Sequence, residues 1–134
     1  EPTLSVSLQS FSYLHGIPSD LSGHGGGFVF DCRALPNPGR EVQYSLLTGR
    51  DEAVVRYLEA KDEVSRFLHH TTALIQAAIE TYRQRRFTHL SVSFGCTGGR
   101  HRSVYCAEQM ASVLREMSGV RVRLRHLEID GISA

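Results

Sequence analysis

The stretch Leu90-Ser91-Val92-Ser93-Phe94-Gly95-Cys96-Thr97-Gly98-Gly99-Arg100-His101-Arg102-Ser103 decides the fold. Its first five residues alternate apolar and polar and read as a strand. A glycine-rich turn follows. From about His101 to Met117, Val104, Ala107, Ala111 and Leu114 recur on one face, which predicts a helix, and Gly119 stops it. Val120-Arg121-Val122-Arg123-Leu124-Arg125 then alternates strictly and reads as a further strand. Strand, loop, helix and strand form a βαβ unit. The expected architecture is therefore α/β: a parallel or mixed sheet of at least four strands flanked by helices, with the Cys96 loop at its C-terminal edge.

The rest of the chain supplies further elements. Leu4-Ser5-Val6-Ser7-Leu8 alternates and predicts a strand. Residues 15–27 are a glycine-rich loop, either a plain surface loop or one folded over a ligand. Phe28-Val29-Phe30-Asp31-Cys32 fits a short buried strand, and Leu35-Pro36-Asn37-Pro38-Gly39 ends it. Asp51 is the expected N-cap of a helix whose apolar side is Val54, Val55 and Leu58. Val64, Phe67, Leu68, Thr71, Leu74, Ile75, Ala78, Ile79 and Tyr82 follow helical spacing in the next. Arg83, Arg85 and Arg86 suit the negative end of its dipole.

At 134 residues, 41% apolar, the chain is expected to form a single domain over residues 1–134 with a core that needs no covalent staples. Three cysteines do not suggest a disulfide framework; reduced thiols in a cytoplasmic protein fit better. No apolar run is long enough for a membrane span, and the N-terminus has no signal-peptide pattern. It also lacks a Met, which reads as a piece of a longer chain. The net charge is +1, but basic residues cluster at 83–86, 100–102 and 121–126. Local basic spots on a neutral total suit a small anionic ligand or a modest RNA-facing patch.

The loop carries the chemistry. At a helix N-terminus the backbone N–H groups lack intrahelical partners and the dipole is positive. Gly98 and Gly99 let such a backbone wrap an anion, Thr97 adds a hydroxyl, and Arg100, His101 and Arg102 add charge. A phosphate is the natural guest. The GxxxxGK[ST] order of a Walker A loop is absent, so ATP is not expected by that route.

Cys96 is followed by five residues, then Arg102 and Ser103, which is the spacing of cysteine-dependent phosphatases. That enzyme is the alternative to a binding domain. It would need a general acid, for which Asp31 and His101 are the candidates, and Gly95 stands where such enzymes commonly carry a His. Cys96 is therefore expected not to act as a nucleophile. Seven histidines invite a metal reading, yet no His, Cys or Asp set has zinc-like spacing; neither metal nor cofactor is expected. Asp31 and Arg33 form either a salt-bridged pair at a strand end or a functional pair in which Asp31 orients Arg102 or accepts from a ligand amine. Arg121, Arg123 and Arg125 share one strand face, and Val120, Val122 and Leu124 share the other, which is expected to pack in the core. The three arginines either protect an edge strand from unwanted pairing or contact RNA phosphates.

Three longer segments carry a resemblance. Phe11-Ser12-Tyr13-Leu14-His15-Gly16-Ile17-Pro18, Phe30-Asp31-Cys32-Arg33-Ala34-Leu35-Pro36-Asn37-Pro38, and Gly95 through Val104 occur in an order that resembles the C-terminal domain of the RapZ family of RNase adapter proteins. Thr48-Gly49-Arg50-Asp51 and Glu108-Gln109 are similar too. The resemblance implies a phosphofructokinase-like fold and binding of an amino-sugar phosphate, glucosamine-6-phosphate. It also implies dimerisation and, in enterobacterial members, binding of small regulatory RNAs. By position it implies ligand contact from His15, Thr97, Gly98, His101 and Arg102, with Asp31, Arg33 and Cys96 nearby. The family's N-terminal kinase-like domain lies outside this sequence. Leu14 stands where a basic residue is common, and residues 127–134 lack the basic tail that the family associates with RNA.

Overall fold

Four strands pair in the order β2-β3-β1-β4, all parallel: β1 Leu4–Ser12, β2 Phe28–Asp31, β3 His89–Cys96 and β4 Val120–His126. The structure, a computed structural model, describes residues 3–20, 22–24 and 26–130. Residues 21 and 25 of the glycine-rich loop, and 131–134 of the stretch read for a missing basic tail, lie outside it. Three helices complete the fold: α1 Glu52–Glu59, α2 Asp62–Gln84 and α3 Arg102–Arg115. Two 3₁₀ turns, Pro38–Arg40 and Val42–Tyr44, lie between β2 and α1.

Alternation decides the layering. Leu4, Val6 and Leu8 of β1 and Leu90, Val92 and Phe94 of β3 are fully or almost fully buried. They share one core with Val64, Ile75 and Ile79 of α2 and Ala107, Met110 and Leu114 of α3. Ser5, Ser7, Gln9, Ser91 and Ser93 project from the opposite pleat of the same strands, away from that core. The helices thus build one apolar layer, and the other sheet face is polar.

Parallel pairing gathers every strand's C-terminal end at one edge. Ser12 stands opposite Cys96, Asp31 opposite Gly95, and Ser10 opposite His126. The loop after β3 therefore meets the turns after β1, β2 and β4.

Several expectations change. The segment Phe28–Asp31 is an edge strand, not a buried one: Phe28 and Phe30 are half-buried and Val29 is 45% exposed. With β4 at the other edge, Val120, Val122 and Leu124 lean on the core but are only partly buried. Leu74 falls on the outer flank of α2 and is exposed. The first strand runs on to Ser12, and Cys96 belongs to β3 rather than to the loop. Asp51 sits at the N-cap of α1, but its carboxylate accepts from Thr48 N at 2.7 Å instead of from a helix amide.

Candidate anion-binding site

Residues 97–101 link β3 to α3 and are braced from three sides. Ser12 Oγ donates to the Thr97 carbonyl at 2.6 Å, and Gly49 N donates to the Arg100 carbonyl at 2.8 Å. Gly99 has φ +71°, and a Cβ there would lie 2.6 Å from Glu128 Cγ and 2.8 Å from Ser12 N. Both the left-handed backbone and the close approach demand glycine. Thr97 and Gly98 are exposed on the rim; Gly99 is buried.

Arg102 opens α3 and is 5% exposed. Its Nη1 donates to the carbonyls of Arg33 at 2.8 Å and Leu35 at 3.1 Å. Its Nε is the one buried side-chain polar atom without a hydrogen-bond partner among the described residues. A buried guanidinium held by two carbonyls, with its buried Nε–H unspent, is costly unless an acceptor arrives. His101 Nε2 donates to the Tyr44 carbonyl at 2.9 Å, which fixes the ring. Its Nδ1 edge faces Gly39, where a Cβ would sit 3.1 Å away.

Asp31 does not orient Arg102. Two-point pairing joins it to Arg33, with Arg33 Nε and Nη2 reaching its oxygens at 2.9 and 2.7 Å. This hydrogen bonding holds the Asp31 carboxyl below its usual range. Arg33 also stacks on the Tyr13 ring at 3.8 Å. Arg33 therefore offers the site its backbone carbonyl, and its charged head is spent elsewhere. Cys96 is buried and its Sγ lies 3.2 Å from Ser103 Oγ. Burial, with Cys106 beside it, pushes the Cys32 thiol well above the ordinary range. Among the described residues, no His, Cys, Asp and Glu group could hold a metal.

His15 Nδ1 donates to Glu128 at 2.8 Å, which brings His15 to the same edge as the loop. Behind it runs a network that sequence reasoning missed. Ser10 Oγ bonds His126 Nδ1 at 2.6 Å, and His126 Nε2 bonds Glu108 at 2.8 Å. Arg50 then bridges Glu108 and Asp130, and Asp130 caps the His126 amide. The order Ser–His–Glu is that of a hydrolase relay, but Ser10 is fully buried and no substrate can reach it. The network ties β1, β4 and α3 together. Its bonded partners Ser10 and His126 lie 116 residues apart, so only the fold brings them into contact.

Arg121, Arg123 and Arg125 stand exposed on the polar sheet face and have no ion-pair partner among the described residues. No described helix is long and apolar enough to cross a membrane.

The sequence model of the RapZ C-terminal domain matches residues 4–130. The chain is 44% identical over 128 residues, 95% of its length, to a nucleotide-binding protein of Alkalilimnicola ehrlichii, covering 42% of that protein. It is 41% identical over 127 residues to one of Ruegeria pomeroyi and 35% identical over 130 residues to one of Glaesserella parasuis, covering 43% of each. The chain thus spans less than half the length of these curated relatives.

Proposed function

The chain belongs to the RapZ C-terminal domain family, and on that premise we propose that it is a regulatory domain whose loop binds a phosphorylated amino sugar such as glucosamine-6-phosphate without turning it over. The observation that carries this is the buried Arg102 with its unpaired Nε at the start of α3. A phosphate supplies the missing acceptor and accepts from the free amides of the helix N-terminus as well. Thr97, Gly98, Gly99 and Arg100 complete the cradle, and His15 and His101 flank it. Cys96 and Ser103 brace it from below. The phosphatase alternative has little to work with. Its nucleophile is buried, and of the two candidate acids Asp31 is committed to Arg33 and the His101 Nε2 to the Tyr44 carbonyl.

Calorimetry with glucosamine-6-phosphate, glucose-6-phosphate and inorganic phosphate tests the reading. Binding is expected, with no phosphate released above a Cys96→Ser control. Arg102→Lys keeps the charge but loses the forked donors, and should weaken binding at least about tenfold. Absence of binding by all three probes overturns the sensor reading; release of phosphate that Cys96→Ser abolishes replaces it with the phosphatase.

A second reading, contact with RNA phosphates along Arg121, Arg123 and Arg125, draws on the three unpaired guanidinium groups of β4. RNA held this way would show affinity falling steeply with salt.

A further inference from the structure

Parallel sheets are ordinarily covered on both faces. Here the face opposite the helices is polar along the middle of β1 and along β4, with Ser5, Ser7, Gln9, Arg123 and Arg125 in place of an apolar surface that a helix could cover. Ser5, Ser7 and Gln9 lie on the central strand, and the Gln9 amide is fixed by Ser91 and Ser93 hydroxyls at 3.1 and 2.6 Å. What lies over this face is the described part of the 16–27 loop. Between loop and sheet runs a trough of about 660 Å³. Its floor is Ser5, Ser7, Gln9 and Ser91, its outer wall Arg123 and Arg125, and its roof Ser19, Asp20 and His24. Volumes of this order hold small ligands. A roofed trough does not suit a polymer track, and Arg121 does not line it.

A second cavity, about 410 Å³, abuts the first and shares Asp20, His24, Thr88, His89 and Ser91 with it. It adds two aromatic rings, Tyr82 and Phe87, packed edge to face at 4.9 Å, and Arg86. The His24 and His89 rings lie nearly parallel, 17° apart, where the two cavities meet.

Arg86 supplies an independent sign. It has φ +61°, and it is the only described residue other than glycine with positive φ. Its N–H bonds the Arg83 carbonyl, and Phe87 N–H bonds that of Tyr82, which is the helix-ending arrangement that ordinarily takes glycine at this position. A long cation in a strained conformation at a cavity mouth points to function. Attraction to the helix dipole alone does not require the left-handed position.

We infer that this face is a second ligand site, distinct from the Arg102 loop, and that it takes a mononucleotide. The chemistry follows the order of the lining. Unpaired Arg123 and Arg125 suit a phosphate, the Ser and Gln hydroxyls and amide suit a ribose, and the His24–His89 pair with Phe87 suits a planar base. Gly27 belongs to the design: a Cβ there would lie 2.3 Å from the Ser91 carbonyl, so only glycine lets the roof come down onto β3 at that point.

The test is an amide-resolved NMR titration of the chain with AMP, ribose 5-phosphate and inorganic phosphate. AMP should shift Ser7, Gln9, Ser91, Phe87, Arg123 and Arg125. The double variant Arg123→Ala, Arg125→Ala removes only exposed side chains, and should weaken AMP at least tenfold while leaving phosphate shifts at Thr97 to Arg102 unchanged. Phe87→Ala should weaken AMP but not ribose 5-phosphate. AMP shifts confined to residues 97–102, or AMP affinity unchanged in the double variant, overturns the inference. So does a row including Arg121 that responds to oligo-uridylate while AMP leaves it silent; that result would assign the face to RNA.

Discussion

Glu128 accepts a 2.8 Å hydrogen bond from His15 while its Cγ packs on the Cα side of Gly99, so the segment after β4 touches both the turn after β1 and the anion loop. The His15 side chain is 70% exposed, which makes the pair a weak source of stability. On the proposed reading its role is to hold the imidazole at the loop. Glu128→Ala should leave stability within about 0.5 kcal/mol. Sugar-phosphate affinity should fall about two- to tenfold, the worth of one hydrogen bond. Denaturant titration beside calorimetry separates the two effects; equal affinity in the variant would remove His15 from the binding set.

The buried relay has the opposite profile. Ser10 and His126 are both fully buried. Ser10→Ala leaves His126 Nδ1 without a partner and should cost about 1–3 kcal/mol. Urea unfolding measures this. A neutral substitution would mean that water takes the place of the hydroxyl.

Gly99→Ala should be poorly tolerated. The left-handed conformation alone costs about 1–2 kcal/mol for a residue with Cβ, and the overlap with Glu128 and Ser12 adds to it. Loss of ligand binding together with lower stability is the expected result by calorimetry and urea. Gly98, with open space around it, should accept Ala without a clash.

Arg86→Gly should stabilise the chain by about 1 kcal/mol by relieving the same kind of strain at the end of α2. A fall in stability would show that the Arg86 side chain contributes more than its backbone costs.

Asp31 gives a pH dependence. Hydrogen bonding from Arg33 depresses its folded pKa. A depressed carboxylate contributes stability that is present above its unfolded value, about 3.9, and lost as pH falls through the folded one. Asp31→Asn should therefore lower stability at pH 7 and make no difference near pH 2. The pair is nearly half exposed, so the gap at pH 7 should stay below about 1 kcal/mol. Thermal unfolding of both proteins across pH 2–7 checks the sign.

Sequence reading and structure agree where the signal is local. The alternation of residues 90–94 and 120–125 and the helical spacing of 64–82 are properties of consecutive residues, and each marks a real element. Strand order is not local. Nothing within Phe28–Asp31 says that it lies at an edge, so its apolar run read as buried. The end of β1 was hidden because Phe11 breaks the simple alternation: its ring covers Gly95 on the polar face instead of joining the helix-side core. At the candidate site, the strand–loop–helix was legible because glycines, a threonine and basic residues fall within a few positions between β3 and α3. Glu128, Ser10, His126 and Glu108 were not, because their partners are distant in sequence and their chemistry exists only after β1 and β4 pair.

The order β2-β3-β1-β4 also sets a timetable. Within this domain the first strand to be synthesised is an inner one, and both its neighbours come late: Leu4 pairs with Val120 and Ser5 with His89. During synthesis β1 must wait with its hydrogen-bonding groups unmatched until most of the domain has emerged. Contacts of such long range make folding slow relative to a helical protein of similar size. A nascent chain stalled before residue 89 would expose an unpaired apolar strand, so this domain depends on its synthesis running to completion more than on the order in which its helices form.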